Sequence, residues 1–166
     1  MLMIKKKNMH TKYISYFVVV IALALSISSD VLAQNKTGDD KSMVPAGMQY
    51  WNDIKKETIE TSSGLQYKIL IAGNGRKPKQ KSTVKVHYRG LLTDGRQFDS
   101  SFESDEPVEF RLKNVIKGWT EGIQLMPAGS VFVFLIPPEL AYGEKGAGVI
   151  PPDATLIFEV EFFGTK

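Results

Sequence analysis

Two apolar runs, Val131-Phe132-Val133-Phe134-Leu135-Ile136 and Leu156-Ile157-Phe158-Glu159-Val160-Glu161-Phe162-Phe163, stand on either side of the long connection Pro137 to Thr155. The first is apolar at every position, so periodicity does not assign its faces; its length and β-branching predict a central strand. In the second, Leu156, Phe158, Val160 and Phe162 alternate with Ile157, Glu159, Glu161 and Phe163, the period of a strand. A connection this long inside a small domain is usually functional or disordered. Here the pairs Pro137-Pro138 and Pro151-Pro152 stiffen its ends, Gly143, Gly146 and Gly148 allow sharp bends, and Tyr142 and Ile150 are too apolar for a solvated tether. The stretch reads as a binding flap that aims Tyr142 and Ile150 at a ligand.

Working outward, Leu65, Tyr67, Ile69 and Ile71 alternate with Gln66, Lys68 and Leu70, which predicts a half-buried strand ended by Gly73-Asn74-Gly75. Beyond a basic loop, Arg76 to Lys81, the residues Val84, Val86 and Tyr88 share one strand face, with Lys85, His87 and Arg89 on the other. Asp94-Gly95 supplies a hairpin turn. Val108, Phe110 and Leu112 alternate with Glu109, Arg111 and Lys113 in a further strand. The period then changes: Ile116, Trp119 and Ile123 lie at helical spacing within Val115 to Leu125, and Pro127 and Gly129 stop the helix. Strands in series with one helix predict an α+β domain, an antiparallel twisted β-sheet wrapped around one short α-helix and covered on one face.

The chain has 166 residues, room for one domain with extensions. Residues 1–33 read as a signal peptide: Lys5, Lys6, Lys7 and Lys12 precede an apolar stretch from Tyr13 to Ile27, and Val31-Leu32-Ala33 offers small residues for cleavage. A membrane anchor over residues 13–28 is the alternative, although this stretch falls short of the roughly 20 residues a spanning helix needs. Residues 34–60 read as a linker, in which Met48, Trp51, Ile54 and Ile59 have weak helical spacing, and 61–166 as the domain. Without residues 1–33 the chain keeps 17 basic and 17 acidic residues of its 21 and 18. The basic pI therefore belongs largely to the signal, and no electrostatic warrant remains for a nucleic-acid partner. The absence of cysteine rules out disulfides, thiolate catalysis, cysteine metal sites and a lipid-carrying cysteine. Export without disulfides points to the bacterial periplasm.

Strand and helix parity turns Tyr88, Val108, Phe110, Ile116, Trp119 and Phe158 inward. Such a set is more often plain core than pocket, and what favours a pocket is the flap with Tyr142 and Ile150 that must fold over something. Other chemistries find little support. Ser100 and Ser101 have no histidine or acid at a recognisable spacing and read as turn residues; His87, beside Lys85 and Arg89, reads as solvated; Asp99 divides between a turn contact and a pocket role. With His10 in the signal, His87 stands as the single histidine of the remainder, so neither a metal site nor a cofactor is expected.

Five motifs carry a family resemblance: Val86-His87-Tyr88-Arg89-Gly90, Asp94-Gly95-Arg96-Gln97-Phe98-Asp99-Ser100-Ser101, Val115-Ile116-Lys117-Gly118-Trp119, Ala141-Tyr142-Gly143, and Ile150-Pro151-Pro152-Asp153-Ala154-Thr155-Leu156. In this order, from about Ser63 to Phe163, they resemble the FKBP-type peptidyl-prolyl isomerases. The stretch Thr61 to Tyr67 is similar to the exported bacterial, Mip-like branch, here without that branch's long dimerisation arm. The resemblance implies a pocket with Trp119 as floor, Tyr88, Phe98, Val115, Ile116, Ile150 and Phe158 as walls, Asp99 at the rim, the Tyr142 hydroxyl on a substrate carbonyl, and a backbone N–H from Ile116. Val108 stands where the family often has an aromatic residue, which lowers that wall. The segments from Phe110 to Val115 and after Tyr142 are shorter than in minimal members, which reduces the outer rim available to macrolide inhibitors.

Such a pocket would speed rotation about X–Pro bonds in unfolded or nascent exported polypeptides, its implied partners. No nucleophile is needed. A non-catalytic module or chaperone that holds proline segments is the second reading, and the intact Tyr88, Phe98, Asp99, Trp119, Tyr142 and Phe158 set favours the first.

Overall fold

The computed structural model describes residues 50–52, 58–104 and 106–166, all within the unit Val44–Lys166. The signal expected at 1–33 and most of the linker lie outside the described residues. Among the described residues seven strands form one antiparallel sheet: β1 (Ile59–Glu60), β2 (Gln66–Ile71), β3 (Thr83–Leu92), β4 (Gln97–Ser100), β5 (Val108–Arg111), β6 (Ser130–Ile136) and β7 (Leu156–Thr165). Their order is β1-β2-β6-β7-β3-β4, with β5 also paired to β3. The apolar run at 130–136 is central, between β2 and β7, as its composition predicts. At Asp94-Gly95 the chain reverses: Leu92 N–H donates to the Arg96 carbonyl at 2.8 Å, and the Asp94 carboxylate accepts the Arg96 N–H at 2.9 Å. The sheet begins with β1, two residues upstream of Thr61.

The one helix bounded within the described residues, α1 (Lys117–Leu125), starts at Ile116 and stops at Met126, whose N–H returns to the Ile123 carbonyl before Pro127. It buries Trp119 and Ile123 against Val84, Val86 and Tyr88 of β3, Phe132, Phe134 and Ile136 of β6, and the even-numbered apolar residues of β7. Two glycines one turn apart let it come close. A Cβ at Gly118 would lie 2.5 Å from Ile136, and one at Gly122 would lie 2.6 Å from the Phe134 ring. This sheet-on-helix arrangement is the predicted α+β class.

Two expectations are corrected. The opposite sheet face is also covered, because Trp51, helical with its neighbours and only 1% exposed, packs on Val133 and Ile157, flanked by Tyr50, Leu70, Leu91 and Leu135. Here β7 carries carboxylates that single-face patterning would place in water. Glu159 is 2% exposed, accepts from the Tyr50 hydroxyl and pairs with the Arg89 guanidinium at 2.8 Å; burial and the Glu159 charge push the Tyr50 phenol well above its ordinary range. Glu161 is buried too, and desolvation raises its carboxyl. The second correction concerns β2. Tyr67 stacks on Phe132 at 5.6 Å as parity requires, yet Ile69 is 43% exposed. The strand β1 pairs only with Gln66 and Tyr67, and the β2–β6 register slips between Ile69 and Ile71, so the pattern loses its cover there.

Candidate functional site

Trp119, on the buried face of α1, meets three rings edge-on: Tyr88 at 4.9 Å, Phe110 at 5.6 Å and Phe158 at 5.2 Å between centroids. Each comes from a different strand, which is how an antiparallel sheet concentrates aromatic area on one point. Phe98 of β4 joins through an edge contact to Phe158 at 5.4 Å. Gly90 makes that contact possible, since a Cβ there would lie 2.7 Å from Phe98 and 2.9 Å from Phe158.

The polar groups sit at the edge of this aromatic cluster. The Tyr88 hydroxyl donates to Asp99 Oδ2 at 2.6 Å. Burial, then the bond to Asp99, then the charges of Asp99 and neighbouring Tyr142, hold the Tyr88 phenol above the tyrosine range, so it stays a donor. Ile116 occupies the N-cap of α1, where backbone N–H groups of the first turn lack intrahelical partners. Val108, Val115 and Ile116 are half-buried against the same cluster. The flap leaves β6 through a 3-10 turn at Pro138–Leu140, turns again at Gly143–Lys145, and closes on itself through paired backbone bonds between Ala147 and Ile150 at 3.0 and 2.9 Å. That closure buries Ile150 in the cluster and leaves Tyr142 40% and Val149 70% exposed.

The sequence-derived set thus converges: Tyr88, Phe98, Trp119, Phe158 and Ile150 in one cluster, Val108, Val115 and Ile116 beside it, Asp99 reached through Tyr88, and Tyr142 near Tyr88. Three residues were undervalued. Phe110, read as an inward strand residue, is a wall of the ring cluster. His87 is not simply solvated: it stacks on Phe102 at 4.5 Å, and its Nδ1 lies 2.8 Å from the Ser101 hydroxyl. Ser101 is buried, not a surface turn residue. Alternation places His87 on the outer strand face but gives no notice that Phe102, beyond β4, returns to cover it. Asp94, not Asp99, makes the turn contact. Among the described residues no three His, Asp or Glu side chains converge as a metal site would require.

The described residues thus bring together a buried aromatic cluster, one oriented phenol–carboxylate pair at its edge, and a proline-stiffened flap that packs on the cluster through Ile150. The chain belongs to the family of FKBP-type peptidyl-prolyl cis-trans isomerases, whose model matches residues 74–163. It is 58% identical over 115 residues to the FKBP-type peptidyl-prolyl cis-trans isomerase FkpA of Aeromonas hydrophila, covering 69% of this chain and 43% of that protein. It is 46% identical over 116 residues to the outer membrane protein MIP of Legionella longbeachae, covering 69% of this chain and 50% of the relative. The crystal structure of FkpA from Escherichia coli superposes with a TM-score of 0.67 at 35% identity, covering 98% of this chain and 74% of that one. The chain spans half or less of the length of these two curated relatives.

Proposed function

We propose that this chain is a peptidyl-prolyl cis-trans isomerase that acts on proline-containing segments of unfolded or newly exported polypeptides. The observation that carries the reading is the ring cluster on Trp119, bordered by the oriented Tyr88–Asp99 pair and by a flap that buries Ile150 and leaves Tyr142 40% exposed. Rotation about an X–Pro bond must break amide resonance, a barrier of roughly 18–20 kcal/mol, without making or breaking a covalent bond. The twisted amide has lost charge separation and is less polar than the planar one. A dry aromatic pocket therefore binds it better than the ground state, and that difference is the catalysis.

In this reading Trp119 is the floor under the proline ring, with Tyr88, Phe98, Phe110, Val108, Val115, Ile116, Ile150 and Phe158 as walls. Tyr142 donates its hydroxyl to a substrate carbonyl, and the Ile116 N–H holds a second. Asp99, fixed by Tyr88, supplies a negative rim. Macrolide inhibitors of the family are a second class of ligand, met by the shortened outer rim. The division into a signal at 1–33, a linker to about residue 60 and the domain at 61–166, with a periplasmic destination, completes the proposal; the likeness to a protein named for the outer membrane supports it.

A protease-coupled assay on peptides that vary the residue before proline tests the function. Acceleration over the uncatalysed rotation, which takes tens of seconds, is the expected result. Peptide binding without acceleration would instead make the chain a holding module.

A further inference from the structure

Along one edge, β3 changes neighbour. It pairs with β5 as far as Val86 opposite Val108, and with β4 only from Arg89 opposite Ser100. His87 and Tyr88 fall in the gap. A strand residue points its N–H and C=O to the same edge, and for Tyr88 that edge is the one without a strand. Buried backbone groups left unpaired there would be costly.

Ser101, the first residue after β4, fills both places. Its amide donates to the Tyr88 carbonyl at 3.0 Å, and its hydroxyl accepts the Tyr88 N–H at 2.8 Å. The hydroxyl also lies 2.8 Å from His87 Nδ1, which donates or accepts according to its tautomer, and 3.4 Å from the Tyr88 carbonyl, to which it donates. Ser101 is itself held: it is 4% exposed, and the Ser104 hydroxyl donates to its carbonyl at 2.9 Å. Two residues before it stands Asp99, the partner of the Tyr88 hydroxyl. One residue therefore ties the two ends of the Tyr88–Asp99 pair together, its hydroxyl and amide holding the Tyr88 backbone and its main chain leading directly to Asp99.

We propose that Ser101 is a positioning residue of the isomerase pocket, seating Tyr88 so that its hydroxyl meets Asp99. This rests on the isomerase reading. Misplacement of a pocket group by about an ångström is enough to cost orders of magnitude in rate. The hydroxyl is the working part, so threonine replaces serine and alanine does not.

The test is a double-mutant cycle in the full chain, with kcat and KM measured separately for Ser101→Ala, Ser101→Thr, Tyr88→Phe and the Ser101→Ala/Tyr88→Phe pair. Ser101→Ala is expected to lower kcat about five-fold, within the loss that removing the Tyr88 hydroxyl itself causes, with KM within about two-fold, and Ser101→Thr to recover most of it. In the Tyr88→Phe background the alanine change should cost less than about two-fold, because the hydroxyl it positions is gone. Hydrogen exchange of the Tyr88 amide should quicken in the alanine variant and not in the threonine one. Should Ser101→Ala fail to fold, Ser101→Cys keeps the volume with a weak hydrogen-bonding group and takes its place in the cycle. Full additivity of the two losses, or an unchanged kcat in Ser101→Ala, overturns the inference while the isomerase reading stands. An inactive wild type sinks both.

Discussion

In the proposed isomerase Trp119 contributes surface to the pocket and takes part in no bond-making step, and this distinction is open to measurement. Trp119→Leu should retain much of the activity because leucine still fills the floor with apolar atoms, whereas Trp119→Ala empties it and lets Tyr88, Phe110 and Phe158 shift. Complete loss in the leucine variant, with an unchanged circular dichroism spectrum, would show a role beyond contact. Tyr88→Phe keeps the ring and removes the donor to Asp99, one hydrogen bond worth about 0.5–1.5 kcal/mol. The expected loss in kcat/KM is thus about two- to ten-fold. Tyr88, Phe110, Trp119 and Phe158 were legible in the sequence because strand and helix periods turn them inward, whereas Phe98 came only with the family resemblance. Ser101 was not, because its importance comes from a gap between β4 and β5 along β3, which no local pattern encodes.

At the scale of elements, β7 has two buried faces. One meets α1; the other bears Ile157 packed with Trp51, Glu159 bonded to Tyr50, and the buried Glu161. Alternation of apolar and acidic residues predicts a solvated second face, and at Ile157 and Glu159 it fails because the cover comes from Tyr50 and Trp51, far upstream, where helical spacing is weak. Removing that cover with Trp51→Ala should cost about 3–5 kcal/mol, read as a fall in the denaturation midpoint. Glu161 gives a pH-dependent test. Burial raises its folded-state value above the unfolded one, so the fold carries no penalty where both states are protonated and a full penalty above the folded value. Glu161→Gln should accordingly raise Tm more at pH 7 than at about pH 4, near the ordinary glutamate value. An equal gain at both would remove desolvation as the cause.

The proposed whole molecule is an exported precursor whose pocket works without acid–base chemistry. Protein recovered from the envelope should begin at Gln34; an intact Met1 terminus in the membrane fraction would make residues 13–28 an anchor instead. The fold class was readable because β7 and the helix carry clear periods, while the length and β-branching of β6 mark it as a strand although its faces could not be assigned from its pattern. The central claim, that binding a twisted amide in an aromatic pocket is sufficient for catalysis, predicts a rate with no proton in flight. The deciding measurement is the cis–trans exchange rate of an X–Pro peptide with and without the chain, in H2O and in D2O. The account predicts clear acceleration with a solvent isotope ratio near one. No acceleration, or acceleration with a ratio of about two or more, as proton transfer in the transition state produces, would contradict it.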